Sequence, residues 1–263
     1  MIHHSYIRSK EARQEPPTPA TLAAMTAHDV TINDDYTGDL SRHGVQRVRV
    51  GAIDVYKTSV GEMDNNCHLL VDTRAPERSL LIDACDEADH LKALADAAGA
   101  TVTTIVTTHS HGDHVQALAE LVEAWGAEHL TSSLDAPDIE VPANRRLDQG
   151  DTVTFGDGAT LVSFILRGHT RGGVGLGLDA GEPDNAESPA DDAPIHLFVG
   201  DSLFPGGVGK TANQENFAQL LHDVEERIFD AYPNDAVVHP GHGSDTTVGA
   251  ERPHLEEWRN RGW

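Results

Sequence analysis

The sequence has few cysteines, few basic residues and no long apolar run. Two cysteines, Cys67 and Cys85, are too few for a disulfide framework in 263 residues, and neither has CxxC or Cys–His zinc spacing. Both lie among apolar residues, where a cysteine is expected to be a small buried side chain. No stretch approaches the roughly 18 apolar residues of a membrane span, and the N-terminus lacks the apolar core of a secretory signal. We therefore expect a cytoplasmic protein without a membrane partner.

Positive charge is scarce, because 19 lysines and arginines face 43 aspartates and glutamates, for a net charge of -24 at pH 7. Such a surface repels phosphate backbones and anionic lipids, which excludes nucleic acid as the main partner. Hydrophobic residues make up 38% of the chain, whose length is ample for a sizeable core. The composition predicts a globular, acidic protein.

The order of strand and helix patterns predicts an α/β fold. Strands precede helices in two successive halves, which is typical of two sheets inside and helices outside. We expect residues 1–42 to form an N-terminal extension, with a helix near Ala20–Ala27, and residues 43–263 to form one domain. The acidic, proline-containing segment 179–194 is expected to be a mobile loop. Amphipathic patterns predict helices over 86–99, 115–126, 216–232 and 249–258.

Histidine is abundant, with 16 in the chain, and four potential metal ligands fall within the segment HSHGDH at 109–114. The segment follows a β-branched strand and precedes a helix. His109 and His111 point the same way if the chain is extended. A glycine then lets the chain turn, so that Asp113 and His114 can face a neighbouring point. One short loop could therefore serve two metal ions.

Three further potential ligands each follow a predicted strand and stand beside glycine or proline, namely His169, Asp201 and His242. Ligand sites in α/β proteins gather at such strand ends. The other eleven histidines are expected to pack in the interior or lie at the surface, and two of them, His196 and His239, lie in strands near the site.

Four motifs in this order, HSHGDH (109–114), GHT (168–170), GDSLF (200–204) and PGHG (240–243), resemble those of the metallo-β-lactamase-fold hydrolases. The resemblance runs from about Val45 to Trp263. It implies an αββα four-layer sandwich with a binuclear metal site between the sheets. The metal ligands that it implies are His109, His111 and His169 for the first ion, Asp113, His114 and His242 for the second, and Asp201 as the bridge. Asp113 is also the expected catalytic residue, and Asp83 resembles an acid that supports the histidine loop.

Imidazole and carboxylate ligands suit two divalent ions, with zinc expected and iron or manganese as alternatives. Two ions about 3.5–4 Å apart can bind one water and lower its pKa toward neutrality. The resulting hydroxide would attack a carbonyl or phosphoryl centre, and the metals would stabilise the developing oxyanion.

Within this family, the bridging Asp201 argues against a β-lactamase, and the lack of a long inserted domain argues against a nuclease. The stretch GDSLFPGGVGKT resembles the glyoxalase II-like branch, the hydroxyacylglutathione hydrolases, in which a residue placed like Lys210 contacts the carboxylate of the thiol cofactor. Thr211 and Ala212 stand where that branch often has an aromatic pair, and the long C-terminal helical domain of the larger enzymes is missing. The identity of the thiol in the substrate therefore stays open.

We expect a metal-dependent thioester or ester hydrolase acting on a small molecule, as a monomer or homo-oligomer. The alternative is a persulfide dioxygenase with one iron held by His109 or His111, His169 and Asp201. A third hypothesis is a module that binds metal without catalysing a reaction. The seven intact ligands argue against it.

Overall fold

The structure is a computed structural model that describes residues 30–178 and 194–262. The helix expected near Ala20–Ala27 lies outside the described residues, as does the expected loop 179–194 except for its last residue. Across the described part of the chain, no helix is both long and apolar enough to cross a membrane.

Eight strands form the first sheet and lie side by side in chain order. The N-terminal strand pairs Ile32 with Val45 and runs parallel to its neighbour. This part of the expected extension therefore belongs to the sheet. The strands from the second to the fifth are antiparallel, and those from the fifth to the eighth are parallel. Their bounds are β1 Ile32–Asn33, β2 Val45–Val50, β3 Ile53–Val60, β4 Asn65–Asp72, β5 Ser79–Ile82, β6 Val102–Val106, β7 Glu128–Ser132 and β8 Arg145–Leu147.

Six strands form the second sheet, and a short separate hairpin lies beside them. The sheet strands are β9 Thr152–Phe155, β10 Ala159–Leu166, β11 Gly173–Leu178, β12 His196–Gly200, β15 Val237–Pro240 and β16 Thr246–Thr247, and the hairpin strands are β13 Leu203–Phe204 and β14 Gly207–Val208. Their spatial order is β16-β15-β12-β11-β10-β9. The parallel pair β12 and β15 brings the residues after Gly200 and after Pro240 to the same edge.

The helices cover the outer faces of both sheets. They are α1 Ala88–Ala97, α2 Leu118–Trp125, α3 Gln214–Val224, α4 Val248–Glu251 and α5 Leu255–Arg261. One buried apolar cluster joins α1 and α2 to the first sheet, for example through Leu91 and Leu69. A second cluster fills the space between the sheets, where Leu70 and Phe198 are both members. A third joins α3 to the second sheet through residues such as Leu220. The predicted αββα sandwich is confirmed.

Three of the four predicted helices differ from the structure mainly at their ends. The fourth, predicted over 249–258, is divided into α4 and α5 by a 3-10 turn at Arg252–His254. The helix expected over 115–126 begins at Leu118, because residues 112–114 form a 3-10 turn. The helix expected over 216–232 begins at Gln214, where the Asn213 side chain accepts a hydrogen bond from the backbone N–H of Asn216. It ends at Val224 and continues as a π-helical turn.

Candidate metal centre

The loop after β6 is held between the two sheets by backbone hydrogen bonds. The N–H of Thr107 donates to Leu130 in β7, and the carbonyl of Thr108 accepts from Val174 in β11. The loop therefore enters the space between the sheets directly after its strand. There His109 and His111 meet His169, which follows β10.

The first three-residue set is the group His109, His111 and His169. One ligand atom of each lies within 4.8 Å of those of the others. The ring centroids of His111 and His169 are 4.5 Å apart. The Nδ1 atom of His169 lies 2.7 Å from the backbone carbonyl of Lys210, which turns its Nε2 atom toward the other two rings. Three imidazoles at this spacing could hold one metal ion.

The second set is Asp113, His114 and His242, whose ligand atoms also lie within 4.8 Å of one another. The Nε2 atoms of His114 and His242 are 3.3 Å apart. The Oδ2 atom of Asp113 lies 3.4 Å from His242 Nε2 and accepts a 2.8 Å hydrogen bond from Asn65 Nδ2. The Nδ1 atom of His242 is fixed 3.0 Å from the carbonyl of Met63, in the loop between β3 and β4.

Asp201 lies between the two sets. Its Oδ2 atom is 3.6 Å from His169 Nε2 and 3.5 Å from His242 Nε2, and its Oδ1 atom is 3.4 Å from His114 Nε2. One carboxylate therefore reaches a member of each set, as a bridging ligand must.

Several buried polar atoms at this centre have no hydrogen-bond partner. They are His109 Nε2, His169 Nε2 and Asp201 Oδ1. Buried polar atoms are almost always paired, because an unpaired one loses its solvation without compensation. All three belong to residues that share groups of ligand atoms within 4.8 Å of one another, so these donor atoms fit metal ions.

The charges of the side chains also suit cations. Burial lowers the pKa of His109 well below its usual range and also lowers that of His169, so both imidazoles are neutral and can donate a lone pair. Burial raises the pKa of Asp201, but the nearby rings of His114 and His242 outweigh it and lower that pKa. Burial likewise lowers the pKa of His114, but Asp83 and Asp201 raise it well above its usual range, and Asp201 also raises that of His242 against burial. An ion bound by these two rings would therefore replace their protons.

Asp83 supports the histidine loop from behind. Its carboxylate accepts hydrogen bonds from the backbone N–H and the hydroxyl of Thr108, both at 2.7 Å, and its Oδ2 atom lies 3.0 Å from His114 Nδ1. Its φ of 61° is left-handed, which is uncommon outside glycine. The contact fixes the ring of His114 so that Nε2 faces the site.

Gly241 leaves room for the bridging carboxylate. A Cβ atom at this position would lie 2.2 Å from Asp201 Oδ1 and 2.7 Å from a ring carbon of His114. No side chain fits there without displacing two of the seven predicted ligands. By contrast, a Cβ atom on Gly112, inside the histidine loop, would meet nothing within 4 Å.

Sequence reasoning missed Asp135, which joins the two loops of the first set. The side chain is fully buried, and its two oxygens accept from the backbone N–H groups of Ser110 at 3.0 Å and of Gly172 at 2.8 Å. Asp135 follows β7, a strand that the sequence patterns did not predict. In the sequence, Asp135 merely follows a short mixed segment that ends at Ser132. That position does not distinguish it from aspartates at the surface.

The remaining expected residues lie around the centre. Lys210 is exposed, and its backbone, as described above, contacts His169. His196 and His239 are buried and pair with each other at 2.8 Å. Cys67 and Cys85 are buried free cysteines, as expected. Cys85 Sγ lies 3.7 Å from His114 Nδ1, so it packs directly behind one predicted ligand.

Known proteins are similar to this chain in sequence and in fold. The Metallo-beta-lactamase superfamily model matches residues 60–242. The chain is 36% identical over 147 residues to a hydroxyacylglutathione hydrolase of Fuscovulum blasticum, covering 56% of this chain and 51% of that relative. The chain therefore spans about half the length of this curated relative.

Two further similarities extend over more of the chain. A protein of Bacillus velezensis named probable polyketide biosynthesis zinc-dependent hydrolase BaeB is 26% identical, covering 73% of this chain and 78% of that relative. The solved structure of TTHA1623 in a di-iron-bound form is 29% identical with a TM-score of 0.57, covering 74% of this chain and 96% of that one.

Proposed function

We propose that this chain, which belongs to the metallo-beta-lactamase superfamily, is a binuclear metal-dependent hydrolase that cleaves a thioester or a related ester. The observation that carries the proposal is the position of Asp201, which reaches both three-residue sets with one carboxylate. The relatives named hydroxyacylglutathione hydrolase support a thioester as substrate.

His109, His111 and His169 would hold one ion, Asp113, His114 and His242 the other, and Asp201 both. Two bound divalent ions supply a water nucleophile at neutral pH and polarise the scissile carbonyl. We propose zinc, which suits this set of nitrogen and oxygen donors and is the metal in the name of BaeB. Iron is the alternative, because the similar structure of TTHA1623 is a di-iron-bound form, and metal analysis distinguishes the two.

Asp113 is the residue that we assign to proton transfer beside its role as a ligand. Burial raises its pKa, but the hydrogen bond from Asn65 and the charge of His114 outweigh that effect and lower it. The carboxylate therefore stays ionised at neutral pH, which suits a metal ligand. Because a lowered pKa makes it a weak base, it would hold a proton only briefly during turnover. Asn65 orients it by occupying Oδ2 at 2.8 Å.

Lys210 is proposed to bind an anionic group of the substrate. It is exposed, and its backbone carbonyl contacts His169, so its side chain starts at the rim of the first set. Only four lysines occur in the chain, and a positive side chain beside the site would attract an anion in spite of the net charge of -24.

The test is metal analysis of the purified protein combined with a substrate panel. The panel contains a hydroxyacyl thioester, a lactone, a phosphodiester, and a persulfide with oxygen. We expect two ions per chain and fastest turnover of the thioester, with turnover abolished in Asp201→Ala. Near-wild-type hydrolysis in that variant would refute the binuclear mechanism. Oxygen consumption with the persulfide and one iron per chain would identify the dioxygenase instead.

A further inference from the structure

A buried lysine lies behind the loop that carries His242. The side chain of Lys57, in β3, has no exposed surface. Lysine is almost never fully buried unless its charge is paired. Its ammonium donates to the carbonyl of Gly38 at 2.6 Å, the carbonyl of Gly243 at 2.8 Å and Asp245 Oδ1 at 2.7 Å. Three acceptors satisfy its three N–H donors, and two of them lie in the loop of His242.

Asp245 is held on its other side as well. Its Oδ2 atom accepts a 2.6 Å hydrogen bond from the hydroxyl of Tyr36 and lies 2.9 Å from His239 Nδ1. Burial raises the pKa of Asp245, but His239 and Lys57 outweigh it and lower that pKa. The carboxylate is therefore ionised, and Lys57 faces a fixed negative charge.

Asn66, in β4, binds the same loop from a second direction. Its Nδ2 atom donates to the carbonyls of Pro240 and Gly243, both at 2.9 Å, and its backbone N–H donates to Gly241 at 2.7 Å. The Gly243 carbonyl thus accepts from both Asn66 and Lys57. The backbone is fixed on each side of His242, whose Nε2 atom faces Asp113 and Asp201.

We propose that Lys57, paired with Asp245, is a positioning residue for the second metal set. By binding the Gly243 carbonyl it sets the direction of His242 Nε2 without touching the ion. The inference rests on the proposed function, because it assumes that Asp113, His114 and His242 hold a metal. Removing Lys57 alone leaves the carboxylate of Asp245 buried without its cation, which lowers stability whatever else the lysine does. A lysine with only this structural role would lower stability without a selective loss of metal at one site.

The experiment is a zinc titration of the metal-free full chain against a chromophoric chelator. We expect Lys57→Met to raise the zinc Kd of one of two sites about 10- to 100-fold, as for other groups that orient metal ligands. The other site should stay within about twofold of wild type. Lys92→Met is the matched control, because Lys92 is a partly exposed lysine of α1 that pairs with the exposed carboxylates of Asp89 and Glu120. It should titrate like wild type.

A double-mutant cycle identifies the affected site. If Lys57 acts through His242, Lys57→Met should cause no further loss of zinc affinity in the background of His242→Ala. An equal loss with and without His242, or wild-type zinc binding in Lys57→Met, would overturn the inference. If Lys57→Met does not fold, Asp245→Asn, which keeps the side-chain volume, should show the same loss of zinc affinity at one site. Unchanged zinc affinity at both sites of that variant would also overturn the inference. A wild-type protein that binds only one zinc would instead refute the proposed function itself.

Discussion

Asp135 gives the sharpest test of how the first metal set is built. Its carboxylate joins the loop of His109 and His111 to the loop of His169 through the N–H groups of Ser110 and Gly172. Each hydrogen bond to a charged acceptor is worth about 1.5–3 kcal/mol, and Asp135→Ala leaves two N–H donors without their partner. We expect the metal-free protein to lose about 3 kcal/mol of unfolding free energy, because such contributions are not fully additive.

The same substitution should also weaken metal binding. Without Asp135 the two loops are no longer joined, so the three imidazoles lose their fixed spacing. We expect the zinc Kd of one site to rise about 10- to 100-fold. Urea unfolding of the metal-free protein measures the first effect, and a competition titration with a zinc chelator measures the second.

Asp138→Ala is the matched control three residues along the chain. Its carboxylate is 46% exposed and lies 3.5 Å from the exposed Arg171, so its removal should change stability by less than about 0.5 kcal/mol. Equal urea midpoints and equal zinc affinities of Asp135→Ala and Asp138→Ala would show that Asp135 does not hold the two loops together.

Three further predictions follow from single positions. Gly241→Ala should abolish binding of the second ion, because the new Cβ atom would meet Asp201 and His114, whereas Gly112→Ala should retain both ions. Metal analysis of the two proteins measures this, and equal metal content would contradict the close approach of Gly241 to Asp201. Burial raises the pKa of Asp72, but hydrogen bonds from Arg74 and Asp157 lower it to about 2, below its ordinary 3.8. The ionised group therefore stabilises the fold by about 2 kcal/mol above pH 4, and this contribution is lost as the pH falls toward 2. The difference in unfolding free energy between wild type and Asp72→Asn, measured with urea, should therefore disappear between pH 4 and pH 2. Lys210→Ala should raise KM more than it lowers kcat, and an unchanged KM would remove Lys210 from the substrate site.

The sequence predicted the layers and the clustered ligands because both have local signals. The period of apolar residues identified α1, and four ligand-type residues within 109–114 identified the histidine loop. Asp83 was predicted from the resemblance to the metallo-β-lactamase-fold hydrolases, in which an acid at this position supports the histidine loop. The strands β7 and β8 were missed, because β7 mixes polar and apolar residues and β8 has three residues, of which two are arginines.

The missed residues act through contacts that are distant in sequence. In the sequence, Lys57 is a polar residue in a strand of alternating character, which does not predict burial. The structure shows that its charge is paired with Asp245, 188 residues later in the chain. Asn65 is likewise ordinary in the sequence, yet it holds Asp113. The roles of such residues depend on the tertiary structure, because their partners lie in other strands and loops.

The central claim is that Asp201 joins two metal ions held by six other side chains. Anomalous diffraction at the zinc edge from crystals of the zinc-loaded protein tests it directly. The claim predicts two anomalous peaks about 3.5–4 Å apart, each about 2.0–2.2 Å from one oxygen of Asp201. A single peak, or two peaks of which only one contacts Asp201, would contradict it.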